Sequence, residues 1–298
     1  MPEYPDITIY LERLEALVTG QTLDKVRLVS PFFLRSVEPS VKAVEGRKVK
    51  GLRRIGKRIV FGFPDELFLV LHLMIAGRLL WTDKGASVNR KIGLAALDFT
   101  NGTLVITEAG TKKRASLFVI QGEENLSAFD RGGLNVLEAT LEEFAARLTL
   151  ENHTLKRTLT DPRLFDGIGN SYSDEILHHA KLSPVKLSQK MSDEEIERLY
   201  NSTRLQLDMW TERLRKETGH GLPKKVTAFR PDMAVHGKYN QPCPVCGTAV
   251  QRIRYADNET NYCPRCQTDG KLLSDRSLAR LLKQDWPRTI EELENKSR

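Results

Sequence analysis

The sequence predicts an α+β chain of more than one domain: a β-rich N-terminal part carrying one helix, a helical middle, and a small metal-binding module behind it. Three observations carry that expectation. One amphipathic helix at the start gives way to a run of short β-type segments reaching about residue 121. Helical patterning with capping boxes then dominates between residues 140 and 219. Finally, all four cysteines, Cys243, Cys246, Cys263 and Cys266, fall within 24 residues. At 298 residues with 40% hydrophobic content, the chain is long enough for two domains and a further small module.

The first helix reads from about Pro5 to Val18, where Ile7, Tyr10, Leu11, Leu14, Leu17 and Val18 form an apolar stripe that Gly20 stops. From Thr22 to about Gln121 the period shortens, as in Arg58–Phe63, Leu67–His72, Gly77–Trp81, Leu94–Phe99 and Leu104–Ile106, with Asn101-Gly102 as a hairpin turn. Several short strands at this spacing predict a β-sandwich. Thr140–Glu143 and Ser192–Glu195 are capping boxes. The second opens a long helix whose Ile196, Leu199, Tyr200, Leu207, Trp210 and Leu214 face a core, and Gly219 and Gly221 end it. A loop with Lys224 and Lys225 leads to the cysteines, read as a hairpin pair around a metal. Beyond them, a helix near Asp275–Asp285 and a third capping box at Thr289–Glu292 make a helical tail.

The C-x2-C-x16-C-x2-C spacing suits a four-thiolate zinc site, because each Cys-x-x-Cys turn aims two sulfurs at one ion. Two disulfides or four reduced thiols are the alternatives. The first residues carry no secretion leader, which disfavours disulfides, and the clustering disfavours chance. Four thiolates leave no open coordination position, so such a metal holds structure. A net charge of +7 and a pI of 9.2 favour a polyanionic partner. No apolar run approaches the ~20 residues of a membrane span.

Two further segments carry chemistry. Pro2 and Glu3 open the chain, and the small Pro2 permits removal of Met1. The terminus is then a secondary amine beside a carboxylate. An α-amine titrates near ~7.8 and lysine near ~10.4, so the terminal amine is far more often neutral at pH 7. A secondary amine attacking a sugar C1′ gives an iminium directly. Alone, Pro2 reads as an ordinary terminal residue. In the middle, Gly167-Ile168-Gly169-Asn170 precedes a helix. The glycines allow close backbone approach to a ligand, and the helix start could face a phosphate. The same residues read as a tight turn with Asn170 as N-cap.

Pro2-Glu3, the segment Asp161 to Leu177 and the cysteine module, in that order, resemble the formamidopyrimidine-DNA glycosylase / endonuclease VIII family. The resemblance covers roughly residues 1–270. It implies an α+β multidomain fold: an N-terminal β-sandwich with an N-terminal helix, a helix–two-turn–helix domain and a C-terminal four-cysteine zinc finger, with DNA gripped between. The corresponding division is a catalytic sandwich at 1–128, a DNA-binding helical domain at 129–228, the zinc finger at 229–270 and the helical tail at 271–298.

The resemblance implies base-excision repair of oxidised bases in damaged double-stranded DNA, with associated abasic-site lyase activity. A monomer, one structural zinc, no organic cofactor, no membrane and a cytoplasmic, nucleoid-associated bacterial setting complete the expectation. Pro2 would be the nucleophile, Glu3 the general acid/base, and Lys57 the β-hairpin lysine that contacts the substrate. Lys156 and Asn170 would bind phosphate, Glu175 matches a glutamate of the same helix, and Asp6 replaces a glutamate near the amine. On their own, Lys57 and Lys156 read as solvated surface charges.

Three segments depart from the pattern. Asn258 stands where the family's finger has a phosphate-gripping arginine; Arg252, Arg254 and Arg265 are possible substitutes. Ile75 replaces the methionine that fills the gap left by an extruded base, and Met74 replaces the glycine before it. Either could be the wedge, or both could belong to the core. The loop Glu108–Phe118 offers Lys112, Lys113 and Arg114 to DNA but lacks the arginine–phenylalanine pair that reads the opposite base. The rival expectation is a damaged-DNA-binding or lyase-only member with weak base excision.

Overall fold

The computed structural model describes residues 1–223, 226–255, 258–273 and 287–296. The Lys224-Lys225 loop and the helix expected near Asp275–Asp285 lie outside the described residues. The chain forms two compact units: Met1–Arg131 together with Met209–Thr227, and Gly132–Asp208 together with Ala228–Arg298.

The first unit opens with α1 (Tyr4–Val18), which starts one residue earlier than expected because Glu3 and Asp6 make a capping box. Nine strands follow: β1 (Thr22–Leu28), β2 (Arg47–Lys48), β3 (Gly51–Ile55), β4 (Arg58–Phe63), β5 (Leu67–His72), β6 (Gly77–Thr82), β7 (Gly93–Phe99), β8 (Gly102–Glu108) and β9 (Ser116–Gln121). They build two antiparallel sheets, ordered β2-β1-β7-β8-β6 and β3-β4-β5-β9. Phe99 pairs with Gly102, so Asn101-Gly102 closes the β7–β8 hairpin as its sequence specifies. Ile7, Tyr10 and Leu14 of α1 share one core with Phe61, Leu69, Leu97 and Ile106 of the sheets. Burying a side chain of this size stabilises by about 1.5–3 kcal/mol, which makes α1 integral to the sandwich. A short helix, α2 (Glu123–Leu126), follows β9.

The second unit contains α3 (Leu141–Thr149), α4 (Leu155–Thr160), α5 (Asn170–His179) and the start of α6 (Asp193–Thr218). Both expected caps form. Thr140 and Glu143 exchange hydrogen bonds at 2.8 and 3.2 Å, and Ser192 and Glu195 at 3.0 and 3.4 Å. Phe144 and Phe165 pack with ring centres 4.9 Å apart, both fully buried. On α6, Ile196, Leu199, Leu207, Trp210 and Leu214 are buried, whereas Tyr200 is half-buried with its hydroxyl donating to the Ala139 carbonyl.

The cysteine module pairs β10 (Gln251–Tyr255) with β11 (Asn258–Tyr262). In place of the expected second hairpin, the second knuckle passes directly into α7 (Pro264–Thr268), since Pro264 fits a helix's first position. The last described helix is α8 (Ile290–Lys296). Its capping box is half formed: Thr289 Oγ1 accepts from the Glu292 N–H, but the Glu292 carboxylate takes the Arg288 N–H.

Candidate active site and nucleic-acid interface

In the first unit Met1 is exposed and the two residues behind it are enclosed. Pro2 is buried, Glu3 is 3% exposed, and the Glu3 N–H donates to the Asp6 carboxylate at 3.0 Å. Asp6 therefore caps α1 as well as standing near the amine. With Met1 in place, the α-amine lies below its ordinary value. Burial is the main cause, with Lys57 and Arg78 adding to it and the Glu3 and Asp6 carboxylates opposing it.

Lys57 sits in the tight β3–β4 hairpin that Gly56 makes possible with φ +61°. Arg54 steadies that hairpin: its guanidinium donates to the Gly56 carbonyl at 2.7 Å and stands over the Tyr4 ring, 4.6 Å from its centre. Beside it, burial, Arg58 and Lys57 hold His72 neutral, its pKa near 4. Arg58 donates to the Phe129 carbonyl at 3.1 Å. Neither Arg54 nor Arg78 stands out in the sequence. Arg54 is one of two adjacent arginines on β3, and its contacts with Gly56 and Tyr4 distinguish it from Arg53, which pairs with Glu123.

The turn from Leu73 to Gly77 leaves the end of the sheet. Met74 adopts φ +51° and is half-buried, while Ile75 is 59% exposed. Neither belongs to the sandwich core. A β-carbon at Gly77 would stand 2.3 Å from the Leu73 carbonyl oxygen, so the turn requires glycine there. The Arg78 guanidinium donates back to the Gly77 and Ile75 carbonyls at 2.6 and 3.3 Å.

Gly77 pairs with Glu108, so the second candidate loop leaves from the same edge. Glu108 is buried, and its carboxylate accepts the Arg114 and Ala115 N–H groups at 2.9 and 3.1 Å. That capping folds the loop so that Lys112, Lys113 and Arg114 are all exposed.

In the second unit, Gly167 has φ +77° and Gly169 is the N-cap, which makes Asn170 the first residue of α5 rather than its cap. The Asn170 side-chain amide donates to the Glu259 carbonyl of β11 at 2.9 Å. Lys156 is 13% exposed, not a solvated surface charge; its ammonium reaches the Asn170 carbonyl at 2.6 Å and Asp174 at 2.5 Å. Glu175 is buried and accepts the N–H groups of Ala234, Val235 and His236 at 2.7, 2.9 and 2.9 Å. Burial pushes its pKa up, and those three donors pull it down.

The four cysteine sulfurs lie within 4.8 Å of one another, with Cys243–Cys266 at 3.9 Å and Cys246–Cys263 at 3.4 Å. A tetrahedron with Zn–S bonds of about 2.3 Å places sulfurs about 3.8 Å apart, so the donor set fits zinc. Burial pushes the Cys266 thiol up to about 11 and Cys263 higher still. A cation is what allows such buried thiols to ionise together. His178 of α5 adds a ring nitrogen 3.3 Å from Cys243 Sγ.

Asn258 is exposed at the start of β11. Arg254 pairs with Glu259 across the hairpin and Arg252 with Asn261, which puts both arginines on the opposite face from Asn258. Both are engaged by the Glu259 carboxylate, at 3.2 and 3.4 Å, and Arg252 lies 3.9 Å from the Tyr239 ring centre. Arg265 is exposed in α7.

A sandwich with a carboxylate-flanked terminus, a helical unit built on a glycine turn, and a four-cysteine knuckle pair define a zinc-finger protein of the helix–two-turn–helix class. The chain belongs to the formamidopyrimidine-DNA glycosylase family. Its residues 1–113 match the formamidopyrimidine-DNA glycosylase N-terminal domain, 135–214 the H2TH domain and 240–268 the zinc finger found in FPG and IleRS. It is 28% identical to the formamidopyrimidine-DNA glycosylase of Listeria monocytogenes over 90% of this chain and all of that protein. The MutM (Fpg) crystal structure from Thermus thermophilus superposes with a TM-score of 0.75 at 30% identity, covering 89% of this chain and 98% of that one. Lactococcus lactis Fpg in complex with abasic-site DNA shares the fold with a TM-score of 0.78 at 24% identity, over 89% and 99% of the two chains. Among the described residues, no helix is long and apolar enough to cross a membrane.

Proposed function

We propose that the chain is a base-excision repair enzyme: a DNA glycosylase with abasic-site lyase activity that removes oxidised bases from duplex DNA through an amine at Pro2. One observation carries this reading. Pro2 and Glu3 are both buried, and burial already holds the Met1 amine one residue ahead below its ordinary value, so removing Met1 opens a secondary amine in surroundings that disfavour its charged form. A neutral amine is the form that attacks carbon.

After Met1 is removed, the Pro2 nitrogen bonds to C1′ of the damaged nucleoside and the base leaves with the glycosidic electron pair. Glu3 takes the remaining N–H proton from the Pro2 nitrogen and passes it to the ring oxygen as the sugar opens, leaving an iminium, while the departing base takes a proton from water. The positive nitrogen accepts electrons when C2′ loses a proton, which expels the 3′ phosphate. A second elimination expels the 5′ phosphate. The zinc knuckles stand outside these steps, since four thiolates leave no open position.

Reaching C1′ requires rotating the nucleotide out of the stack, at a cost of a few kcal/mol. Phosphate contacts by Lys57, Lys156, Asn170, Lys112, Lys113 and Arg114 offset that cost, and Ile75, with Met74 behind it, fills the gap. One chain carries every group the reaction uses, so it acts as a monomer on damaged duplex DNA.

The test is borohydride trapping on abasic-site duplex. A covalent adduct is expected with the Met1-processed chain, and none with Pro2→Gly or with Met1 retained. A processed wild-type chain that forms no adduct overturns the proposal. A second reading, a lyase or lesion-binding protein with weak base excision, is favoured by Asn258 and by the turn of Arg252 and Arg254 toward Glu259. It predicts nicking or binding of abasic duplex with no release of an oxidised base.

A further inference from the structure

Asp174 takes no part in the chemistry above, yet its side chain is wholly buried and holds three polar partners. One carboxylate oxygen holds the Lys156 ammonium at 2.5 Å. The other accepts from His236 Nδ1 at 2.7 Å and from the Asn261 N–H of β11 at 3.2 Å. A single side chain of α5 thus ties together α4, the segment before the cysteine module, and the zinc-finger hairpin.

We propose that Asp174 is a positioning residue for DNA binding: it holds Lys156 across the N-terminal end of α5, against Asn170, which is itself bonded to β11. The proposal rests on the phosphate-binding role given above to Lys156 and Asn170. An ammonium has three donors. Two are spent on Asp174 and the Asn170 carbonyl, which leaves one for an outside acceptor on a side chain that keeps 13% exposure. Asn170 is fixed in turn by the Glu259 carbonyl. Lysine on its flexible stem would otherwise sweep through solvent, and ordering it would oppose binding.

Charge alone argues the other way. Removing a carboxylate beside a phosphate site should tighten DNA binding by simple electrostatics. Positioning requires that it loosen, so the sign of the effect decides between them.

The experiment uses full-length, zinc-loaded, Met1-processed protein and a duplex containing a tetrahydrofuran abasic analogue, with affinity read by fluorescence anisotropy across a salt series. Asp174→Asn is expected to bind about tenfold more weakly. Its log–log salt slope should fall by about 0.9, the share of one phosphate contact. The single-turnover trapping rate at saturating abasic DNA should stay within twofold. Lys156→Ala combined with Asp174→Asn should bind no more weakly than Lys156→Ala alone, and Asp174→Glu should recover most of the affinity. If Asp174→Asn does not fold with zinc, Asp174→Ser alone and combined with Lys156→Ala reads the same coupling.

Equal or tighter binding by Asp174→Asn, or additive losses in the double variant, overturn the proposal. A Lys156→Ala variant that binds like wild type overturns it together with the phosphate role. Wild type that binds this duplex but forms no borohydride adduct overturns the Pro2 chemistry and leaves the Asp174 inference standing.

Discussion

The Arg54 guanidinium lies 4.6 Å from the centre of the Tyr4 ring while donating to the Gly56 carbonyl, so one side chain joins the start of α1 to the hairpin that carries Lys57. A cation–π contact of this kind stabilises by about 0.5–1 kcal/mol when partly exposed. Its larger effect is geometric. Arg54→Met is expected to shift the melting temperature by only a few degrees yet slow borohydride trapping about tenfold at saturating DNA. An unchanged trapping rate would mean that Lys57 keeps its place without the clamp.

His72 gives a pH dependence with a defined sign. Its pKa is depressed to about 4 in the folded chain, against about 6.5 when unfolded. Between those values the unfolded chain binds more protons, so stability rises with pH there and is lost as pH falls from 6.5 to 4. The loss between pH 7 and 5 is about 2 kcal/mol. Urea titrations of wild type and His72→Gln at both pH values should show the variant losing less on acidification. Parallel losses would remove His72 as the cause.

Glu175 accepts three consecutive backbone N–H groups. Glu175→Ala leaves those donors buried and unpaired, each costing on the order of 1 kcal/mol or more. The second unit should lose about 3 kcal/mol or more, and limited proteolysis should cut first near Ala234–His236. Glu175→Gln keeps one acceptor and should fall between. Protection equal to wild type in the alanine variant would contradict the role.

Asn258 is exposed at the hairpin start and already faces away from Glu259. Asn258→Arg should therefore meet DNA without first breaking an ion pair. It is expected to tighten abasic-duplex binding severalfold and to steepen the log–log salt slope by about 0.9. An unaltered slope would place residue 258 off the DNA.

Much of this architecture can be read from the chain because its signals are local. Arg58–Phe63 and Leu67–His72 form the expected strands, and the Thr140 and Ser192 caps close as their spacing dictates. The two-residue strand Arg47–Lys48 and the charged Gly51–Ile55 carry too little apolar pattern to stand out. The four cysteines converge because their turns are self-contained. What sequence spacing cannot display is tertiary pairing. Lys156 looks like a surface charge until α4 packs on α5 and brings Asp174 to it, 18 residues on. Likewise, the Thr289 box forms only halfway because Glu292 finds the Arg288 N–H instead.

The turn bearing Ile75 has a rigid base and an open tip. Gly77 admits no larger residue, and Arg78 locks the adjoining carbonyls, whereas the Ile75 side chain touches little of the protein. Shape at this tip is consequently free to drift without harming the scaffold. Swapping only residue 75 across sizes, from alanine to phenylalanine, should retune how a helix of stacked bases is propped apart while the melting curve stays put.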